Sequence, residues 1–164
     1  MIEMSNYLPN RVQRTIIRSF AKTVRDAAKN FGKCPYDFLE KAVQSPLFQT
    51  FEEDYRLHSQ SPNCIAIEFM KTFDSELLTI TEEEQNADGE VGYWMGFVVM
   101  QYAIRDHFPM DTIKKIPMEE VYWAYDVLHT QDVNYAIRFI LEEYVQNISK
   151  KTERLSSTPI GDSR

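Results

Sequence analysis

The chain has 164 residues, a net charge of −7, 43% hydrophobic and 13% aromatic residues. A domain of this size buries roughly 70% of its unfolded surface, so one full core, or two small halves sharing one, is within reach. The acidic balance, with a pI near 5.0, argues against general nucleic-acid binding, which needs clustered Lys and Arg on phosphates; it suits solubility or a basic protein partner.

From the start of the chain, Leu8, Val12, Ile16, Ile17, Phe20, Val24, Ala27, Ala28 and Phe31 recur at spacings of three and four. This predicts one long amphipathic helix, with Pro9 in its first turn and Gly32 at its exit. Pro35 and Pro46 bracket a short helix, 36–44, and a further helix is expected from Pro46 to about His58. Ser61 before Pro62 reads as an N-cap followed by proline at the first helical position, opening a helix that carries Ile65, Ala66, Phe69 and Phe73. No alternating strand stands out; residues 77–80 would pair as a short extended piece only if a partner were supplied, since one lone strand needs one. The segment 81–90 (TEEEQNADGE) is acidic, lacks a run of apolar residues and contains Asp88-Gly89, a turn signal, so it reads as an exposed linker.

The same order then returns: a long helix over 91–108, a short one over 109–116, a third over 117–128, and a last one opened by Asp132 with Ala136, Ile137, Ile140, Leu141, Tyr144 and Ile148 inward. Residues after about Lys151 are polar and read as a flexible tail. The expected organisation is an all-α fold: a first helical repeat at 1–80, the linker at 81–90, a second repeat at 91–150 and a tail at 151–164, both repeats packed as one compact domain.

Local identity supports the repeat. Leu57-His58-Ser59-Gln60, Asn63 and Ala66-Ile67-Glu68-Phe69 recur as Leu128-His129-Thr130-Gln131, Asn134 and Ala136-Ile137-Arg138-Phe139 when one residue is deleted after the asparagine. The copies lie about 70 residues apart, and Pro46 and Pro117 precede them by equal distances. Leu57, His58, Gln60, Asn63, Leu128, His129, Gln131 and Asn134 are therefore expected to set two equivalent helix turns, the imidazoles bonding carbonyls left open at helix C-termini.

Chemistry is sparse. Asp54 with His58, and Asp126 with His129, share helix faces and would give a metal-dependent enzyme if twofold packing brought the pairs together. The structural role is the expectation, with no catalytic residue, no metal and no cofactor, because no nucleophile elbow, phosphate loop or HExxH pattern occurs. Gly92-Tyr93-Trp94-Met95-Gly96 is read as a close approach of two helices in a water-soluble core. Cys34 and Cys64 form no CxxC or CxxxH pattern and read as small buried thiols of a reducing compartment. No charged-then-apolar leader opens the chain, and the most apolar run, 91–104, falls short of the ~20 residues that span a bilayer. A cytoplasmic location without membrane contact is expected.

The segment Tyr125-Asp126-Val127-Leu128-His129-Thr130-Gln131 resembles a small bacterial domain family of unknown function, whose members share Tyr-Asp-x-Leu-His-Thr-Gln followed by an amphipathic helix. The likeness is best over about residues 95–147, and residues 57–60 echo it. Members look like companions encoded beside ADP-ribosyltransferase-type toxins, which implies an antitoxin: a non-enzymatic protein that covers the toxin's cleft. Tyr122, Trp123, Tyr125 and, in the tail, Arg154 and Leu155 are the candidate partner-binding residues. The expected partner is a protein, possible products of an adjacent toxin gene first among them, and a homo-oligomer is compatible with the sequence. The alternatives are an adaptor or regulator in a phage-defence or mobile-element system, and the paired Asp/His metal enzyme.

Overall fold

The structure, a computed structural model, describes residues 7–74 and 76–146. The tail at 151–164, with Arg154 and Leu155, and the position of Ile148 lie outside the described residues. Among those described, the chain is helical throughout apart from connecting turns and one isolated bridge.

The first helix, α1 (Arg11–Phe31), begins where Asn10 and Gln13 close a capping box: each side-chain oxygen accepts from the other's backbone N–H, at 2.8 and 2.9 Å. It stops at Gly32, whose φ of 63° admits the left-handed exit and whose N–H reaches the Ala28 carbonyl. Two residues assigned to the apolar stripe do not join it. Leu8 precedes the cap, and Val12 sits in the first turn; both are exposed, and the buried face starts at Ile16.

Short helices follow: α2 (Pro35–Ala42), α3 (Pro46–Gln49), α4 (Tyr55–His58) and α5 (Pro62–Met70). The helix expected from Pro46 to His58 is broken in the middle, where Asp54 restarts it by accepting from Leu57 N–H. The extended piece is present: Thr79 forms an antiparallel bridge with Lys33, flanked by bonds from Cys34 N–H to the Leu78 carbonyl and from Ile80 N–H to the Gly32 carbonyl.

The acidic segment expected to be a linker is helix. The second long helix, α6 (Glu82–Arg105), starts at Thr81, whose N–H is accepted by the Glu84 carboxylate. Three glutamates in the first turn sit at the positive end of the helix dipole, where negative charge is favourable. Asp88 and Gly89, read as a turn, are both buried in this helix. After α6, His107 and Phe108 take positive φ in succession, 59° and 55°, and reverse the chain. Then come α7 (Met110–Ile113), α8 (Met118–Trp123), α9 (Tyr125–Leu128) and α10 (Val133–Phe139), which runs into a π-helical segment at Ile140–Gln146.

The two long helices are antiparallel neighbours. Gly89 lies against Lys29 and Arg25, Gly92 against Val24, and Gly96 against Val24 and Ala21, so the numbering falls along α1 as it rises along α6. A methyl group at Gly96 would stand 2.9 Å from a Val24 methyl and 3.0 Å from the Ala21 Cα. The Gly92-Gly96 spacing thus marks the close helix approach expected of it. Around this seam α5 and α2 pack on α1, α10 packs on α6, and α8 bridges to α2. The buried residues form one cluster running through both halves. Its centre in the first half is aromatic: Phe20 meets Phe48, Phe51 and Phe69 edge-on, with centroids 5.3–5.8 Å apart.

Corresponding features recur at a constant offset, the one separating His58 from His129. It relates the caps Asn10 and Thr81 with their partners Gln13 and Glu84, and the caps Ser61 and Asp132. It also relates the hydrogen-bonded pairs Asn30–Asn63 and Gln101–Asn134. Buried Ile65, Ala66 and Phe69 then match buried Ala136, Ile137 and Ile140. No deletion is needed, because the deletion would pair the 39% exposed Ile67 with buried Ile137.

The seam predicts outcomes of different size for two substitutions. Gly96→Ala meets backbone and a β-branched side chain, so overpacking of about 1–3 kcal/mol outweighs the helix-propensity gain, lowering Tm in circular-dichroism melts by a few degrees. Gly89→Ala would place its methyl group 2.7 Å from Lys29 Cγ, so the Lys29 side chain must change rotamer; with no backbone atom in the way, and a helix-propensity gain of up to about 1 kcal/mol against that cost, Tm should fall less than for Gly96→Ala.

Candidate functional site

The two histidine turns are the features singled out by sequence. In each, leucine supplies the buried anchor: Leu57 and Leu128 are 3% and 1% exposed. The imidazoles behave differently. His129 lies flat on the Tyr125 ring, centroids 4.1 Å apart, and its Nδ1 is 2.6 Å from the Tyr125 carbonyl. A carbonyl only accepts, so Nδ1 carries the proton and satisfies an open carbonyl of the last turn of α9. The half-buried His58 ring instead leans on Phe51 and Tyr55, and it is the His58 carbonyl that accepts from the Ser19 hydroxyl of α1 at 3.0 Å. The carbonyl-bonding role expected of both imidazoles is drawn by His129; at the first turn Gln60 takes it, donating to the Arg56 carbonyl at 3.0 Å.

The asparagines tie each turn to its long helix. Asn63 accepts from Asn30 of α1 at the surface. Asn134 is buried, accepts from Gln101 of α6 at 3.1 Å and donates to the Tyr7 carbonyl at 2.8 Å. Gln131 is exposed. Asp54 is a helix cap and Asp126 is a surface residue. Among the described residues no three His, Cys, Asp or Glu side chains are grouped to hold a metal ion, so Asp54, His58, Asp126 and His129 do not converge. Of the two thiols expected to be buried, Cys34 is and Cys64 is exposed, near the surface start of α5.

The aromatic candidates separate into different roles. Tyr122 is an internal brace: its hydroxyl donates to the buried Asp88 carboxylate of α6 at 2.6 Å, and its ring stands edge-on to Tyr36 of α2. Tyr125 packs between Trp94 and His129. Trp123 alone of the three points outward, 69% exposed, and Val127 one turn further is equally exposed. Both border a groove of about 470 Å³, completed by Ala124 and Leu128, by Phe139 and Tyr144 from the last helical segment, and by Glu120. None of Val127, Phe139, Tyr144 and Glu120 is among the partner-binding candidates named from the sequence, which places Tyr144 on the inward face. The available signal was that Trp123 and Val127 lie off the buried positions Val121 and Leu128 of the same stretch.

The groove has a negative environment. The Tyr144 hydroxyl is pushed above its ordinary pKa by burial and then by Glu120 and Glu143, and that of Tyr125 by burial and then by Glu90 and Asp126. Beneath, burial pushes the Asp88 carboxyl up, Glu84 adds to this, and the Tyr122 hydroxyl opposes it. Tyr122 is raised far above an ordinary phenol by burial and by Asp88.

The chain matches no protein-family model, no curated protein and no solved structure. Among the described residues no helix is long and apolar enough to cross a membrane.

Asp88 makes stability depend on pH with a defined sign. A carboxyl whose folded pKa is raised stabilises the fold in its protonated form; that contribution is full below the unfolded value, about 3.9, and is lost as pH rises through the folded value. Asp88→Asn keeps an acceptor for Tyr122 without the charge. Its Tm should exceed that of the native chain at neutral pH, with the gap closing as the pH is lowered towards 4 in parallel melts.

Proposed function

We propose that this protein acts by binding another protein, not by turning over a substrate, and that its role is to neutralise an ADP-ribosyltransferase-type toxin by covering the toxin's NAD or target cleft. The observation that carries the binding reading is the outward pair Trp123 and Val127 on an apolar groove. Large exposed apolar side chains around a groove are characteristic of partner surfaces, and tryptophan is enriched where binding energy concentrates. The toxin assignment is supported by the Tyr-Asp-x-Leu-His-Thr-Gln resemblance over residues 125–131, of which Val127 and Leu128 line that groove.

In this reading the two halves descend from one duplicated helical unit. Support comes from the shared offset of caps, turn leucines and asparagine pairs. The exposed pair Trp123 and Val127 belongs to the second unit. At the positions of Trp123 and Val127 the first has Glu52 and Arg56, so duplication would have left one unit as scaffold and freed the other to evolve contacts.

Co-expression with the product of the neighbouring gene tests the proposal. The two proteins should copurify, and growth halted by that product should resume. His129→Ala removes a surface stacking contact and one hydrogen bond, worth about 1 kcal/mol, so rescue should fall only as far as Tm does. Absence of both copurification and rescue would refute the neutraliser role.

A further inference from the structure

The groove beside Trp123 carries enough chemistry to specify its occupant, given the protein-binding reading above. We infer that it receives a basic amphipathic helix of the partner protein, apolar side down on Trp123 and Val127, with Lys or Arg side chains along the acidic edge.

The shape argues for a helix. Trp123 and Val127 are four residues apart across the α8–α9 junction and form one wall. Phe139 and Tyr144 form the other, meeting edge-on at 5.8 Å. These two are five residues apart, a spacing that an α-helix turns to different sides and a π-helix brings together. The π-helical segment thus builds this wall. The trough between the walls is open to solvent and apolar, with Leu128 and Ala124 along it. A small-molecule site would gather several placed polar groups, whereas among the described residues Glu120 is the one charged side chain lining the groove. Apolar knobs at helical spacing are what fill a trough of this kind.

Charge decides the rest. Among the described residues no Lys or Arg lines the groove. Glu120 and Glu143 act on the Tyr144 side, and Glu90 and Asp126 on the Tyr125 side. Partner cations at the rim would gain complementarity and faster encounter, while an acidic helix would be repelled. A second copy of this chain fits poorly. Its basic helix, α1, exposes a single large apolar side chain, Val12 in the first turn, and after Thr15 presents Arg18, Lys22, Lys29 and Asn30, so it lacks the row of apolar side chains that would fill the trough.

The test uses two fluorescein-labelled synthetic peptides of about 18 residues, long enough to hold a helix, with the same leucine face and either lysine or glutamate on the other. In anisotropy titrations against the full chain, the Leu/Lys peptide should bind and the Leu/Glu peptide bind at least about tenfold more weakly. Trp123→Ala, at a surface site that leaves the fold intact by circular dichroism, should weaken Leu/Lys binding about tenfold, the scale of a hot spot. Glu120→Lys should weaken Leu/Lys binding and improve Leu/Glu binding. Failure of the Leu/Lys peptide to bind, equal binding of both peptides, or binding indifferent to Trp123→Ala would overturn the inference. So would self-association in sedimentation that Trp123→Ala abolishes, which would give the groove to a second copy. Copurification of the neighbouring gene product with native chain and with Trp123→Ala separates the two levels. A partner retained by both leaves protein binding standing and removes this groove as its site; a partner retained by neither removes the neutraliser reading itself.

Discussion

The close contact of α1 with α6 along Gly92 and Gly96 is the constraint on which the other packing depends. Without side chains at these positions the backbone of α6 reaches Val24 and Ala21 directly, and helix separation is set by what stands between the axes. Each short helix is placed relative to that seam: α5 and α2 on α1, α10 on α6, and α8 across to α2. Widening the seam by a methyl group would therefore be felt by helices that never touch it, because a close-packed interior transmits displacement. Tyr122 and Asp88 form a second tie, joining α8 to α6 a turn before the glycines. Trp123 owes its outward orientation to this tie, since its neighbour in sequence is committed inward.

Much of the fold was legible because helix boundaries are written in local chemistry. Pro46, Ser61-Pro62 and Asp132 each mark an actual start or cap, and Gly32 an actual stop. The apolar periodicity of residues 16–28 identified the buried face of α1. The acidic stretch 82–90 misled because its composition is that of a solvated loop and Asp-Gly commonly turns. Its helicity comes from the capping of Thr81 by Glu84, from three glutamates at the dipole's positive end and from the lysine stem over Gly89. The last of these is a tertiary contact and has no trace in the local sequence. The interrupted helices at 46–58 and 117–128 were likewise beyond reach of periodicity, which does not distinguish one helix from two short ones in similar directions.

The histidine turns show a different boundary of inference. Their leucines were legible as anchors, since Leu57 and Leu128 are buried alike. The adjoining side chains were not, because an imidazole at a helix end can stack, bond a carbonyl or lean on a neighbouring ring, and the rest of the core decides which. His129 stacks on a tyrosine that precedes it by one turn; at the same distance before His58 stands Asp54, which caps α4 instead. Among the aromatics near residue 123, the sequence offers three similar side chains. Only the placement of Asp88 and Trp94 on α6 separates two braces from one surface residue.

The reversal at His107 and Phe108 carries a consequence for how the molecule holds together. Two successive side-chain-bearing residues in the left-handed region cost about 1–2 kcal/mol each, so this corner persists only while something else maintains it. The maintaining contact is remote in sequence: the Phe108 ring stands edge-on to Phe48, 5.7 Å away, inside the aromatic cluster of the opening half. Release of that cluster would free the corner to relax, and with it the register of everything downstream of α6. Loss of order is thereby shared across the whole scaffold, and melting should be a single cooperative event with no stage at which one half stands alone.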